Sequence, residues 1–101
     1  MQILNGDTLQ KMIAANEEIT IIDVRTEEEV AEGKIDGATN INIFNPDFTD
    51  KIDEYDKSKT YVMICRSGAR SSQACMQMMG LGFENLYNLE GGMMSWSGET
   101  V

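Results

Sequence analysis

Two short runs, ITIIDV at residues 19–24 and YVMIC at residues 61–65, are apolar at nearly every position. A strand with one wet face alternates polar and apolar side chains. A strand covered on both faces has no reason to alternate. The two runs therefore predict interior strands of a sheet that carries helices on both sides. Segments with helical spacing lie between and beyond them, so strands and helices alternate along the chain, the pattern of a parallel α/β sheet.

The remaining elements follow from local chemistry. GDTLQKMIAAN reads as a helix capped by Asp7 and closed by Asn16, with Leu9, Met12 and Ile13 on one face. TEEEVAEG reads as a short helix: Thr26 and Glu29 make a capping box, the glutamates sit at the positive end of the dipole, and Gly33 fits the stop. A short strand is expected at residues 40–43, a helical turn at 48–52 within a polar loop, and a helix at 71–81 ended by Gly82. A strand at 85–89 and a closing turn with a short helix complete the order. Ala74, Cys75, Met78 and Met79 are expected on the buried face of the 71–81 helix. The eight methionines are read as adaptable core filling.

With 101 residues, no linker and no repeat, residues 1–101 are expected to form one domain with a core that requires no disulfide or metal. The formal charge of −9 argues against nucleic acid and anionic membranes as partners. No run approaches the roughly 20 apolar residues of a membrane helix. The N-terminal residues lack the basic head and apolar centre of a secretory signal, so a reducing, cytoplasmic setting is expected. Two cysteines and no histidine exclude a zinc cage, and no cofactor is implied.

The chemistry concentrates where YVMIC ends. Cys65 is followed by Arg66, Ser67, Gly68, Ala69 and Arg70, and then by the helix. Ligands of open α/β sheets bind beyond the carboxyl ends of the strands. A loop at that position curls so that backbone N–H groups point at the sulfur, and Gly68 tolerates the positive φ that the curl requires. Helix N-terminus and guanidinium groups favour thiolate over thiol, which makes Cys65 a candidate nucleophile with a depressed pKa. Pre-oriented N–H donors also stabilise charge that develops on a transferred group. Asp23, ending its strand at the same rim, is expected to pair with Arg70 and hold the loop, and Arg25 to make structural contacts. Cys75, on the helix face with Met78, is read as core.

Three blocks in order resemble the single-domain rhodaneses, the thiosulfate sulfurtransferase family. IIDVRTEEEVAEGKIDGATNINI is similar to the family's first motif through Asp23, Arg25, Glu29, Gly33, Ile35, Gly37, Ala38, Asn40 and Ile41. VMICRSGARSS resembles its active-site strand and loop, and YNLEGGMMSW its closing motif through Leu89, Gly91, Gly92 and Trp96. Lys34 stands where the family usually has histidine, a position generally assigned a structural role. The resemblance implies a rhodanese-like α/β fold with a central parallel sheet of about five strands. It also implies that Cys65 cycles through a persulfide, with residues 66–70 cradling the transferred sulfur and Arg66 and Arg70 attracting anionic donors. Ping-pong transfer from thiosulfate or a persulfide to a thiol or cyanide follows from that chemistry. The expected partners are a small anionic sulfur donor and a persulfide-carrying protein, and nothing demands more than a monomer.

Two other readings compete. Cysteine-type phosphatases share this fold but place one residue more between cysteine and arginine. The four here, Arg66 to Ala69, make a ring suited to sulfur and tight for a phosphoryl group. A non-catalytic binding module is the other alternative, and the retained Cys65 and intact loop weigh against it.

Overall fold

The computed structural model describes residues 1–101. The elements run β1 (Gln2–Leu4), α1 (Gly6–Ala14), β2 (Thr20–Asp23), α2 (Glu27–Ala31), β3 (Thr39–Asn40), α3 (Phe48–Asp53), β4 (Thr60–Ile64), α4 (Ala69–Gly80) and β5 (Asn85–Leu89), followed by a 3-10 turn at Gly92–Ser95. The five strands form one sheet in the order β1-β5-β4-β2-β3, and every pairing is parallel. No helix is long and apolar enough to cross a membrane.

The apolar runs are the two inner strands, and their side chains divide by parity. Tyr61, Met63 and Cys65 join Ile22 and Val24 in a core with Ala74, Cys75 and Met78 of α4 and Phe48 and Ile52 of α3. Val62 and Ile64 join Ile21 in a second core on the opposite face, with Leu9 of α1 and Leu89 of β5. Each inner strand is thus buried twice, which is why neither carries a polar alternation.

The chain passes from β3 across β2 to β4 and then outward to β5. The order reverses between β2 and β4, so the ends of these two strands flank the crevice where open sheets bind ligands. Asp23 and Cys65 lie at those ends.

Several local expectations are corrected. Asn5, not Asp7, caps α1: its side chain accepts the Thr8 N–H at 2.8 Å, because the helix starts two residues earlier than an Asp7 cap would set it. Asn16 does close the helix, at φ 55°. The capping box of α2 is present, with the Thr26 hydroxyl accepting from Glu29 N–H and the Glu29 carboxylate accepting from Thr26 N–H. Strand β1 had no expectation, and α4 starts at Ala69 rather than Ser71. Met79 is half exposed, and Met76 and Met94 are exposed too. The buried stripe of α4 runs through Ser71, Ala74, Cys75 and Met78, and these three methionines fall outside the core.

Candidate active site

Cys65 follows the last residue of β4 and is 1% exposed. The chain then turns through Arg66 and Ser67 to Gly68, which has φ +105° and stands as the N-cap of α4. That left-handed residue points the loop amides back at the strand end. The Gly68 N–H donates to Cys65 Sγ at 2.9 Å, and the Ser71 Oγ lies 3.3 Å from the sulfur. Burial by itself pushes the Cys65 thiol up. The Ser71 hydroxyl and the N–H groups of Ser71, Gly68 and Ser67 outweigh it and hold the thiol below its ordinary value. No histidine is needed: protein dipoles stabilise the anion.

Cys75 is the contrasting case. It is fully buried in α4, its Sγ lies 3.9 Å from the Tyr87 carbonyl oxygen, and burial raises its thiol to about 11. Cys65 is nearly as buried, so what separates the two is the donor set: no N–H or hydroxyl donates to the Cys75 sulfur, and a neutral thiol of this kind is packing material.

The expected Asp23–Arg70 pair does not form, while Arg25 makes the structural contacts expected of it. Arg25, not Arg70, holds Asp23: Arg25 Nε donates to Asp23 Oδ1 at 3.0 Å and Nη2 to Oδ2 at 2.8 Å. The reason is parity. Asp23 shares the face of Ile21, away from α4, whereas residue 25, two places on, returns to the same side. Arg25 Nη2 also donates to the Gly33 carbonyl at 2.8 Å, so the pair ties β2 to the end of α2. Asn40 Nδ2 donates to the carbonyls of both Asp23 and Arg25, adding β3 to the same knot.

Arg70, in the first turn of α4, instead meets Glu29. Both guanidinium Nη atoms donate to the carboxylate, at 2.7 and 2.8 Å, and the guanidinium carbon lies 5.6 Å from the centre of the Phe44 ring. The hydrogen bond from Arg70 is the main reason the Glu29 carboxyl falls to about 2. Arg66 is exposed and forms no ion pair. It borders a cleft of about 330 Å³ together with Arg25, Glu29, Glu32, Met93 and Met94. Ser67 and Ala69 are exposed on the rim of the loop. Lys34, at the family's histidine position, pairs through its backbone with Val101 and lies outside the loop.

The closing motif supports the loop from behind. The Met93 and Met94 N–H groups donate to the carbonyls of Cys65 and Arg66 at 2.9 and 3.0 Å. A Cβ on Gly92 would stand 2.5 Å from both carbonyl oxygens, so only glycine permits this approach. Two residues of the site had no sequence expectation, Ser71 and Asn88. Asn88 lies on β5 facing α4, and its Nδ2 donates to the Gly68 carbonyl at 3.1 Å. Its signal was a buried-parity polar residue in the run NLYNL, which implies a partner inside.

Similarity to known proteins agrees with this arrangement. The family model for the rhodanese-like domain matches residues 5–99. The chain is 49% identical over 92 residues to "Putative sulfurtransferase YtwF" of Bacillus subtilis (strain 168), covering 91% of this chain and 86% of that protein. It is 32% identical over 78 residues to the thiosulfate sulfurtransferase GlpE of Shewanella oneidensis, covering 77% and 75% of the two chains. The crystal structure of a rhodanese-like domain protein from Staphylococcus aureus superposes with a TM-score of 0.87 at 30% identity, covering 98% of this chain and 94% of that one. With the Cys65 sulfur cradled at the end of β4 by the loop that opens α4, on a five-stranded parallel sheet, the chain belongs to the rhodanese-like domain family.

Proposed function

We propose that the protein is a sulfurtransferase that moves a sulfane sulfur from thiosulfate or a persulfide donor to a thiol or cyanide through a persulfide on Cys65. The observation that carries this reading is the pair of donors on one sulfur at the start of α4: the Gly68 N–H at 2.9 Å and the Ser71 hydroxyl at 3.3 Å. In the first half-reaction the Cys65 thiolate attacks the outer sulfur of the donor. A bond forms from Sγ to that sulfur, the donor's S–S bond breaks, and its electron pair leaves with sulfite or a thiolate. The negative charge now sits on the outer sulfur, at the mouth of the loop and near the N-terminus of α4. In the second half-reaction an acceptor attacks that sulfur and Cys65 leaves as thiolate.

Arg66 is the arginine free to meet a negatively charged donor, since Arg25 and Arg70 are engaged with carboxylates. A small anion or a persulfide presented by a partner protein fits an open rim of this kind. The names of YtwF and GlpE support transfer of sulfur, and GlpE's supports thiosulfate as a donor.

Incubation with thiosulfate and intact-mass measurement test the reading. The expected product is a protein heavier by one sulfur atom, reverting on addition of cyanide. No adduct, or an adduct that forms equally on Cys65→Ser, overturns it.

A further inference from the structure

Ser71 has one hydroxyl proton and three acceptors within reach: Cys65 Sγ at 3.3 Å, the Gly68 carbonyl at 3.2 Å and Asn88 Oδ1 at 2.5 Å. The Gly68 carbonyl is already served by the Ser72 N–H and by Asn88 Nδ2, each at 3.1 Å. Asn88 Oδ1 has no donor except Ser71, and Asn88 is 6% exposed. The proton is therefore contested between a sulfur and an amide oxygen that are both shielded from water.

We infer that Asn88 is a positioning residue of the sulfur-transfer reaction: it competes with Cys65 for the Ser71 proton, and so favours the sulfur-loaded state over the free thiolate. When Cys65 is anionic, Ser71 turns to Sγ and leaves Asn88 Oδ1 buried without a donor, an unpaired polar atom that opposes the anionic state. When Sγ is bonded to a second sulfur, it is neutral and a poor acceptor. The Ser71 proton then returns to Asn88 Oδ1, and the penalty vanishes. The same geometry keeps the thiolate from being over-stabilised, which preserves its nucleophilicity. Arg70 on α4, paired with Glu29 of α2, is a charged group that acts on the sulfur. Asp23 at the end of β2 acts on Arg70 and is itself paired with Arg25, which borders the same cleft as the exposed Arg66. The inference rests on the persulfide reading above.

The experiment is thiolate titration of wild type, Asn88→Leu, Ser71→Ala and the double variant. Removing the amide competitor should lower the Cys65 pKa by about one unit and reduce equilibrium loading by sulfane sulfur about tenfold. If Asn88 merely supports the loop through Gly68, its removal loosens the ring of donors and the pKa rises. The sign separates the two. Ser71→Ala should raise the pKa, and adding Asn88→Leu to it should produce no fall. A rise or no change in Asn88→Leu, or the same fall without Ser71, overturns the inference. Should the variants not fold, the Asn88 side-chain resonances of the wild type must shift as Cys65 ionises and again on loading. Invariant resonances overturn it as well. A wild type that never gains sulfur, with the Asn88→Leu fall intact, would refute the transfer reading and not the contest for the proton.

Discussion

Glu29 in the first turn of α2 and Arg70 in the first turn of α4 meet through two parallel hydrogen bonds of 2.7 and 2.8 Å across the mouth of the site. The pair joins two helix N-termini that follow adjacent strands, β2 and β4. It fixes the loop that aims at Cys65 from its helical end. Glu29 also closes the capping box of α2, so one carboxylate holds two starts together.

That pair has a pH signature. The Glu29 carboxyl lies at about 2 in the folded protein against 4.5 as its ordinary value. A depressed acid contributes stability above the unfolded pKa and loses it as pH falls through the folded one. Denaturation midpoints of wild type and Glu29→Gln should therefore differ most at neutral pH, by roughly 1–3 kcal/mol, and converge between pH 4.5 and 2. A difference independent of pH would deny the pair that role.

Asp23 and Arg25 form a buried ion pair with 1% and 6% exposure, and Arg25 further satisfies the Gly33 carbonyl. Removing one partner strands the other charge in the interior. Arg25→Ala should cost about 3–5 kcal/mol in chemical denaturation. A loss within the range of surface substitutions, about 0.5 kcal/mol, would contradict the pairing.

Two glycines should respond oppositely to alanine. Gly92 has φ +56° and would drive a Cβ to 2.5 Å from the Cys65 and Arg66 carbonyl oxygens. Gly92→Ala should destabilise by about 3 kcal/mol or more and slow alkylation of Cys65, because the loop must move. A Cβ on Gly80 meets nothing within 4 Å in the last turn of α4. Gly80→Ala should stabilise by roughly 0.5–1 kcal/mol. Paired thermal melts decide both.

Arg66 is exposed and unpaired, so Arg66→Ala should change stability by less than about 0.5 kcal/mol. Its effect belongs on the donor. KM for thiosulfate should rise several-fold and the increase should shrink at high salt, since the attraction acts through solvent. An unchanged KM would remove Arg66 from donor recognition.

The fold was legible because its inner strands declare themselves. ITIIDV and YVMIC lack alternation, and the helix starts carry readable caps, above all Thr26 with Glu29. Strand β1 escaped because three residues at a sheet edge, with only Leu4 buried, carry no periodic signal. Cys65 and its loop were legible from their position at a strand end. The partners of the charges were not, because pairing depends on which face each strand residue takes. Asp23 and Arg25, two apart on one face, find each other, while Arg70 reaches Glu29 beyond the strand ends. Ser71 and Asn88 escaped for a similar reason: their meeting joins a helix turn to a neighbouring strand, and no spacing along the chain encodes it.

The Ser71 hydroxyl and the Gly68 N–H beside Cys65 Sγ favour its anionic form, against the penalty of burial. Ultraviolet titration of thiolate absorbance in Cys75→Ala, where Cys65 is the only thiol left, reads this directly. The expected midpoint lies below the value of about 8.5 for an unperturbed cysteine. A midpoint at or above that value would contradict the proposed nucleophile.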